Sequence, residues 1–266
     1  MTESGSAKPR HLEADYAAQF GDEAIAAAYR HRPPYTPETF VIVDRLLGAR
    51  PRRVLELGAG TGDFTMGLAP LAETLIAVEP SRPMRERGQS RVSAIHGHVV
   101  WCATTAEDHA FDTGYSAVVA AEAFHWLDWS RVLTSIAASL VPAGQLILVE
   151  RALAAPPPWE GDLRALIRDF STNQDYVPYD LVTELESRNL IRLSGRADTG
   201  AVAHVQSLDD YIESFHSRNG FSRARLSLDR ARQFDDAVRA LVRRHGCDNG
   251  VRLAVRSRIA WGRPIG

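Results

Sequence analysis

The stretch VLELGAGTGDF, residues 54–64, is an apolar run that carries one carboxylate, Glu56, and then breaks into three alternating glycines. Lacking Cβ atoms, Gly58, Gly60 and Gly62 let the chain turn sharply and bring backbone N–H groups close to a ligand. A helix is expected to open directly afterwards, and a helix N-terminus favours a polar or anionic group. The spacing is G-x-G-x-G. A dinucleotide-binding turn would need G-x-G-x-x-G, with glycine or alanine where this chain has Asp63, so the pattern counts against NAD or FAD. Seventeen residues after Gly62 comes Glu79, at the end of a second apolar run. A carboxylate there can accept hydrogen bonds from both hydroxyls of a ribose, which suits any adenosine ligand.

Working outward, short apolar runs recur at Val54 to Leu57, Thr74 to Val78, Val99 to Ala103, Ala117 to Ala120 and Gln145 to Glu150. Continuous apolarity over so few residues predicts strands covered on both faces, and the helical stretches between them predict a βαβ series with a parallel sheet. Arg131 to Leu140 reads as the helix before the last parallel strand. Upstream, Glu13 to Tyr29 reads as one amphipathic helix stopped by Pro33 and Pro34, with Thr36 capping the next helix and Gly48 closing it. Downstream, helices are expected over Glu160 to Ser171, Pro178 to Asn189, Ser207 to His216 and Ser227 to His245, with a β-like stretch near Gly200 to Val205. Val251 to Trp261 is expected as an antiparallel edge strand. The predicted class is α/β, Rossmann-like: a mostly parallel seven-stranded sheet with an antiparallel last strand, helices on both faces and helical lid insertions.

The bulk properties narrow the classes of function. A chain of 266 residues suits one domain, and a formal net charge of −2 with scattered arginines gives no footprint for nucleic acid or a membrane surface. Cys102 and Cys247 form no paired spacing, so neither a disulfide framework nor a metal site is expected, and a reducing cytoplasm fits. No stretch is apolar for long enough to span a bilayer. Residues 1–12 are expected as a disordered tail and 13–266 as a single domain, with 53–150 as its cofactor-binding core and 156–190 and 207–246 as acceptor-side lid segments. The expected partner is a small-molecule substrate, and the protein a monomer or homodimer.

Residues 53 to 150 resemble, in order, the class I S-adenosylmethionine-dependent methyltransferases. ELGAGTG, AVEPS with Met84, TTAEDHAF, and YSAVVAAEAFHW with VPAGQLILVE are similar to the family's successive motifs. The YRHRPPYTP and AEAFHWLDW segments resemble a bacterial small-molecule branch that includes trans-aconitate methyltransferase. The resemblance implies S-adenosyl-L-methionine as cofactor and methyl transfer by in-line displacement, with O-methylation favoured over C- or N-methylation. It implies Glu56, Gly58, Gly60 and Gly62 around the methionine part and Glu79 on the ribose. Pro80 and Met84 would flank the adenine, Ala106 and Glu107 would meet its edge, and the segment from Glu122 to His125 would lie beneath the sulfonium. Tyr29 and Arg32 would close the pocket, the arginine on the cofactor carboxylate. His125 is the candidate general base or, equally, a pocket wall beside Trp126. Tyr176, Tyr179, Tyr211, His216 and Arg218 are weaker candidates for the acceptor side. A protein that binds the cofactor without transferring methyl, for cyclisation, elimination or sensing, is the rival class; an NAD-dependent oxidoreductase is a more distant one.

Overall fold

The computed structural model describes residues 8–247 and 250–265. In chain order its elements are α1 (Ala14–Ala17), α2 (Glu23–Ala28), α3 (Pro37–Leu46), β1 (Arg53–Leu57), α4 (Thr65–Leu68), β2 (Thr74–Val78), α5 (Arg82–Ser93), β3 (Val99–Cys102) and β4 (Tyr115–Ala121). There follow α6 (Trp129–Ser139), β5 (Leu140–Leu153), α7 (Glu160–Phe170), α8 (Leu181–Ser187), β6 (Ile191–Asp198), β7 (Val202–Gln206), α9 (Leu208–Phe215), α10 (Leu228–Arg244) and β8 (Val251–Pro264). Strands β3, β2, β1, β4 and β5 lie side by side and parallel, and β8 pairs antiparallel with β5. The order reverses between β1 and β4, so loops diverge there and leave a crevice at the carboxyl ends of the strands.

Two apolar layers cover the sheet. On one face Leu55, Leu57, Val118 and Leu148 pack beneath Val132, Leu133 and Ile136 of α6 and Leu181 and Leu185 of α8. On the other, Val54, Leu75, Val119, Ile147 and Val149 pack against Val43 of α3 and Phe64 and Leu68 around α4. The continuous apolarity of β1 and β4 follows from this two-sided burial, since every residue of β4 is buried. A third apolar cluster joins α7, α9 and α10 to the first half of β8, centred on Phe215, Phe234 and Val251.

The α/β class holds, with eight strands among the described residues. Strand β8 is not at the edge: β6 and β7 also pair antiparallel with it, on the side away from β5 or beyond its end. β6 escaped prediction because its burial alternates residue by residue, with polar side chains on the open face, so it shows no apolar run. The single helix expected over Glu13 to Tyr29 is broken into α1, α2 and 3-10 turns, with the chain extended at Asp22 after Gly21. Thr36 stands at the N-cap position of α3, but its hydroxyl bonds Thr199 at 2.8 Å instead of capping. Of the tail expected over residues 1–12, residues 1–7 lie outside the described residues; His11 and Leu12 are buried and Lys8 donates to the carbonyls of Trp126 (2.8 Å) and Leu127 (2.6 Å). Among the described residues, no helix is long and apolar enough to cross a membrane.

Candidate active site

A cleft of about 770 Å³ opens over the carboxyl ends of β1, β2, β4 and β5, within the usual size of a small-molecule site. Of the residues singled out in the sequence, Tyr29, Glu56, Gly58, Gly60, Glu79, Pro80, Met84, Ala106, Glu107 and Glu122 line it; Gly62, Arg32 and His125 do not.

The glycine turn is built by steric need, and its amides are already engaged. Gly58 N–H donates to the Val78 carbonyl at 2.9 Å, Gly62 N–H to the Ala59 carbonyl at 3.0 Å, and Gly60 N–H to Glu79 Oε2 at 2.8 Å. The expectation that these amides cradle a ligand is therefore corrected: they fix the turn and hold Glu79. The helix that follows is also short, only Thr65–Leu68, and Asp63 lies before it. A Cβ on Gly58 would sit 2.4 Å from Ala123 Cβ, and one on Gly62 would sit 2.8 Å from Val92 Cγ2. At Gly60, with φ +56°, a Cβ would meet nothing within 4 Å, so this glycine keeps the cleft floor open.

Glu79 also accepts from Ser81 N–H at 2.8 Å, so each oxygen takes one backbone bond and keeps a lone pair free, and the residue lines the cleft. Burial raises its pKa. Glu56, 1% exposed, has no hydrogen-bond partner on either carboxylate oxygen. Burial pushes it up to about 8, and the nearby Thr65 hydroxyl, itself without a hydrogen-bond partner by geometry, offsets this in part. An unpartnered buried carboxyl is costly unless a ligand completes it.

The matching cation is Arg151, which sequence reading missed. It lines the same cleft, pairs with Asp63 at 3.2 Å, stacks over Tyr35 at 4.0 Å, and its buried Nε has no partner. Asp63 is held in turn by Arg91 at 2.6 Å. Arg151 sits at the end of an apolar strand, where only the strand's length marked it. Arg32 instead donates to Ser217 Oγ (2.8 Å) and the Ser217 carbonyl (2.7 Å), and its guanidinium lies 4.0 Å over the Tyr29 ring.

Past the end of β2, Met84 packs with Ile25 and Ala26 of α2, and Glu107 accepts from Asp128 N–H at 2.7 Å, which ties the loops after β3 and β4 together. Glu122 adopts φ 56°, a left-handed conformation uncommon for a residue with a side chain, and its carboxylate accepts from Arg151 N–H. His125 stacks 4.9 Å from Trp126. Burial, followed by the Arg32, Lys8 and His11 charges, lowers its pKa to about 3. Trp126 lines the cleft, whereas Trp129 is core, its Nε1 donating to the Phe124 carbonyl at 2.9 Å. His216 is a packing residue bonded to Asp235 (2.7 Å) and the Phe221 carbonyl (2.7 Å).

A parallel sheet in the order 3-2-1-4-5 with an antiparallel neighbour, and a cleft with acidic groups after its first two strands, define a Rossmann-like architecture. Residues 54–144 match a family model described as a methyltransferase domain. Over 164 residues the chain is 35% identical to an uncharacterised methyltransferase of Mycobacterium tuberculosis, an alignment that spans 61% of this chain and 65% of the relative. A shorter match, 33% identical over 98 residues, is to protein-L-isoaspartate O-methyltransferase of Chromohalobacter salexigens and covers 36% of this chain and 43% of that protein. Among solved structures, a type II methyltransferase described from Anaeromyxobacter dehalogenans superimposes with a TM-score of 0.60 at 19% identity, over 87% of this chain and 97% of that one. A SAM-dependent methyltransferase of Geobacter sulfurreducens, solved with S-adenosyl-L-homocysteine, superimposes with a TM-score of 0.52 at 16% identity, over 91% and 96%. At these identities the structural likeness concerns the fold. Residues 54–144 are thus similar to a methyltransferase domain, in the stretch where the ordered motifs implied one.

Proposed function

We propose that this protein binds S-adenosylmethionine in the cleft and transfers its methyl group to a small-molecule acceptor, an oxygen being the favoured atom over carbon or nitrogen. One observation carries the reading. A buried carboxyl with two orphaned oxygens, Glu56, and a buried guanidinium with an orphaned Nε, Arg151, line one cleft, complementary to the ammonium and carboxylate of an amino-acid group. Glu79 then holds the ribose through the lone pairs its backbone bonds leave free. Pro80, Met84 and Ala106 enclose the adenine, and the Glu107 oxygen not bonded to Asp128 accepts from its amino group. Gly60 permits close approach, while Gly58 and Gly62 shape the turn. Arg151 takes the carboxylate role first expected of Arg32.

When bound, S-adenosylmethionine supplies a sulfonium methyl already activated for in-line displacement. The chain's own work is positioning and exclusion of water, for which residues 53–150 form the floor and N-terminal residues such as Lys8, Phe20 and Tyr29 line the cleft beside it, with 156–190 and 207–246 left to the acceptor side. His125, held neutral, weakly basic and set behind the cleft lining, is a poor general base, so an acceptor that arrives ionised fits best. The test is calorimetry with S-adenosylmethionine, S-adenosylhomocysteine and NAD, followed by an assay for S-adenosylhomocysteine production with an acceptor panel. Affinity for the first two and turnover with any acceptor support the reading. Tight binding with no turnover over a wide panel moves the protein to the non-methylating class, and failure to bind either sulfur compound overturns both.

A further inference from the structure

One strongly basic group in the molecule has no place in cofactor binding. Arg218 follows two buried residues, His216 and Ser217, yet is itself exposed. Its guanidinium lies 4.4 Å over the ring of Phe215, a residue only 1% exposed, so one face of the cation rests on the packed interior while the residue keeps contact with solvent. Among the described residues its guanidinium makes no ion pair, although Glu122 and Glu160 are within electrostatic range. Glu160 is paired with Arg164 at 2.8 Å, and the Glu122 carboxylate is turned to Arg151 N–H.

A second guanidinium is held next to it. Arg32 is pinned through Nε and Nη2 to Ser217, the residue before Arg218, which leaves its Nη1 hydrogens uncommitted. Although the residue reaches solvent, the protein packed around its guanidinium, then the neighbouring Arg32 charge, lowers the Arg218 pKa. Two like charges placed together with no carboxylate bonded to either repel, and an oxyanion between them offsets that repulsion. The pair borders the cofactor cleft, because Arg32 rests on Tyr29 and Tyr29 and Glu122 are both part of the cleft wall.

We propose that Arg32 and Arg218 form an anion-binding subsite for the methyl acceptor, so that the acceptor carries a carboxylate or a phosphate. This rests on the methyltransferase reading for the word acceptor, but the anion site itself can be tested separately. Two planar guanidiniums present fork geometry to an oxyanion, and Tyr29, Phe215 and the cleft wall restrict the remainder of the molecule to a small one.

The experiment is calorimetric titration, at low ionic strength, of the S-adenosylhomocysteine-loaded protein with acetate, succinate and inorganic phosphate, for wild type, R218Q and R218K. The expected result is saturable binding of succinate or phosphate to wild type, weakened at least tenfold in R218Q and less in R218K, with S-adenosylhomocysteine affinity unchanged in both variants. Succinate binding alone assigns a carboxylate acceptor, and phosphate binding alone a phosphorylated one. Equal binding of the anions to wild type and R218Q, or no saturable binding to wild type, overturns the proposal. Should R218Q lose its cooperative thermal transition, R218K decides: undiminished anion affinity in it also counts against the paired guanidiniums. If S-adenosylhomocysteine fails to bind while the anions distinguish wild type from R218Q, the anion site stands and the methyltransferase reading falls.

Discussion

Replacing Glu56 by glutamine separates the cost of the empty site from the gain on binding. Its folded pKa of about 8 lies above its unfolded value, so the carboxyl's contribution to stability is fully present below about 4.5 and is lost as pH rises through 8. At pH 7 the difference amounts to about 3 kcal/mol in favour of Glu56→Gln over wild type, an upper figure that vanishes near pH 4. Binding reverses the balance. At pH 7 roughly nine-tenths of Glu56 is protonated in the free protein, and an ammonium placed against it favours ionisation, so about 0.7–0.9 of a proton should be released per site after allowance for uptake by the ligand's amine. Calorimetry of S-adenosylhomocysteine binding in two buffers of different ionisation enthalpy reads that number directly. Glu56→Gln should release almost none and bind about ten- to a hundredfold more weakly, the loss of one or two charge-assisted hydrogen bonds. Proton release near zero in wild type, or affinity undiminished in the variant, would refute the pairing of Glu56 with the cofactor ammonium.

Three further outcomes follow from the same geometry. Arg151→Met should lower S-adenosylhomocysteine affinity by about ten- to a hundredfold, as expected for a lost charged partner, and an effect under twofold in calorimetry would place the cofactor carboxylate elsewhere. Gly60→Ala should cost about 1–2 kcal/mol of stability for a left-handed alanine and weaken cofactor binding, whereas Gly62→Ala, whose Cβ meets Val92, should reduce the melting temperature without changing the affinity of the folded fraction. His125→Ala should change turnover by less than tenfold with no loss of an inflection near pH 6.5, since the folded protein keeps the ring neutral down to about 3. The unfolded chain protonates that histidine near 6.5, so acidification from 6.5 towards 3 destabilises wild type, and His125→Asn should flatten that part of a pH–denaturation curve.

Much of the cleft lining was legible because its information is local. The spacing of Gly58, Gly60 and Gly62 and the position of Glu79 after the next strand are set within a few residues, and strands buried on both faces show as apolar runs in β1, β2 and β4. Boundaries failed where pairing overruled composition: Pro142 and Gly144 read as a helix-ending turn, yet β5 starts at Leu140 and is carried through them by a register shift against β4. β6, half exposed, takes its place from β8 and from no pattern of its own.

Sequence alone thus determined the class of fold and most of the residues that line one cleft, because backbone turns and two-sided burial are short-range demands on side-chain size and polarity. Tertiary structure decided the partners of the charges. That Arg151 meets Asp63, that Arg32 is drawn away to Ser217, and that Arg218 is left without an acid depend on segments 88, 185 and further residues apart being folded together. Coulomb energy depends on distance and local dielectric, and neither is written in the order of the residues.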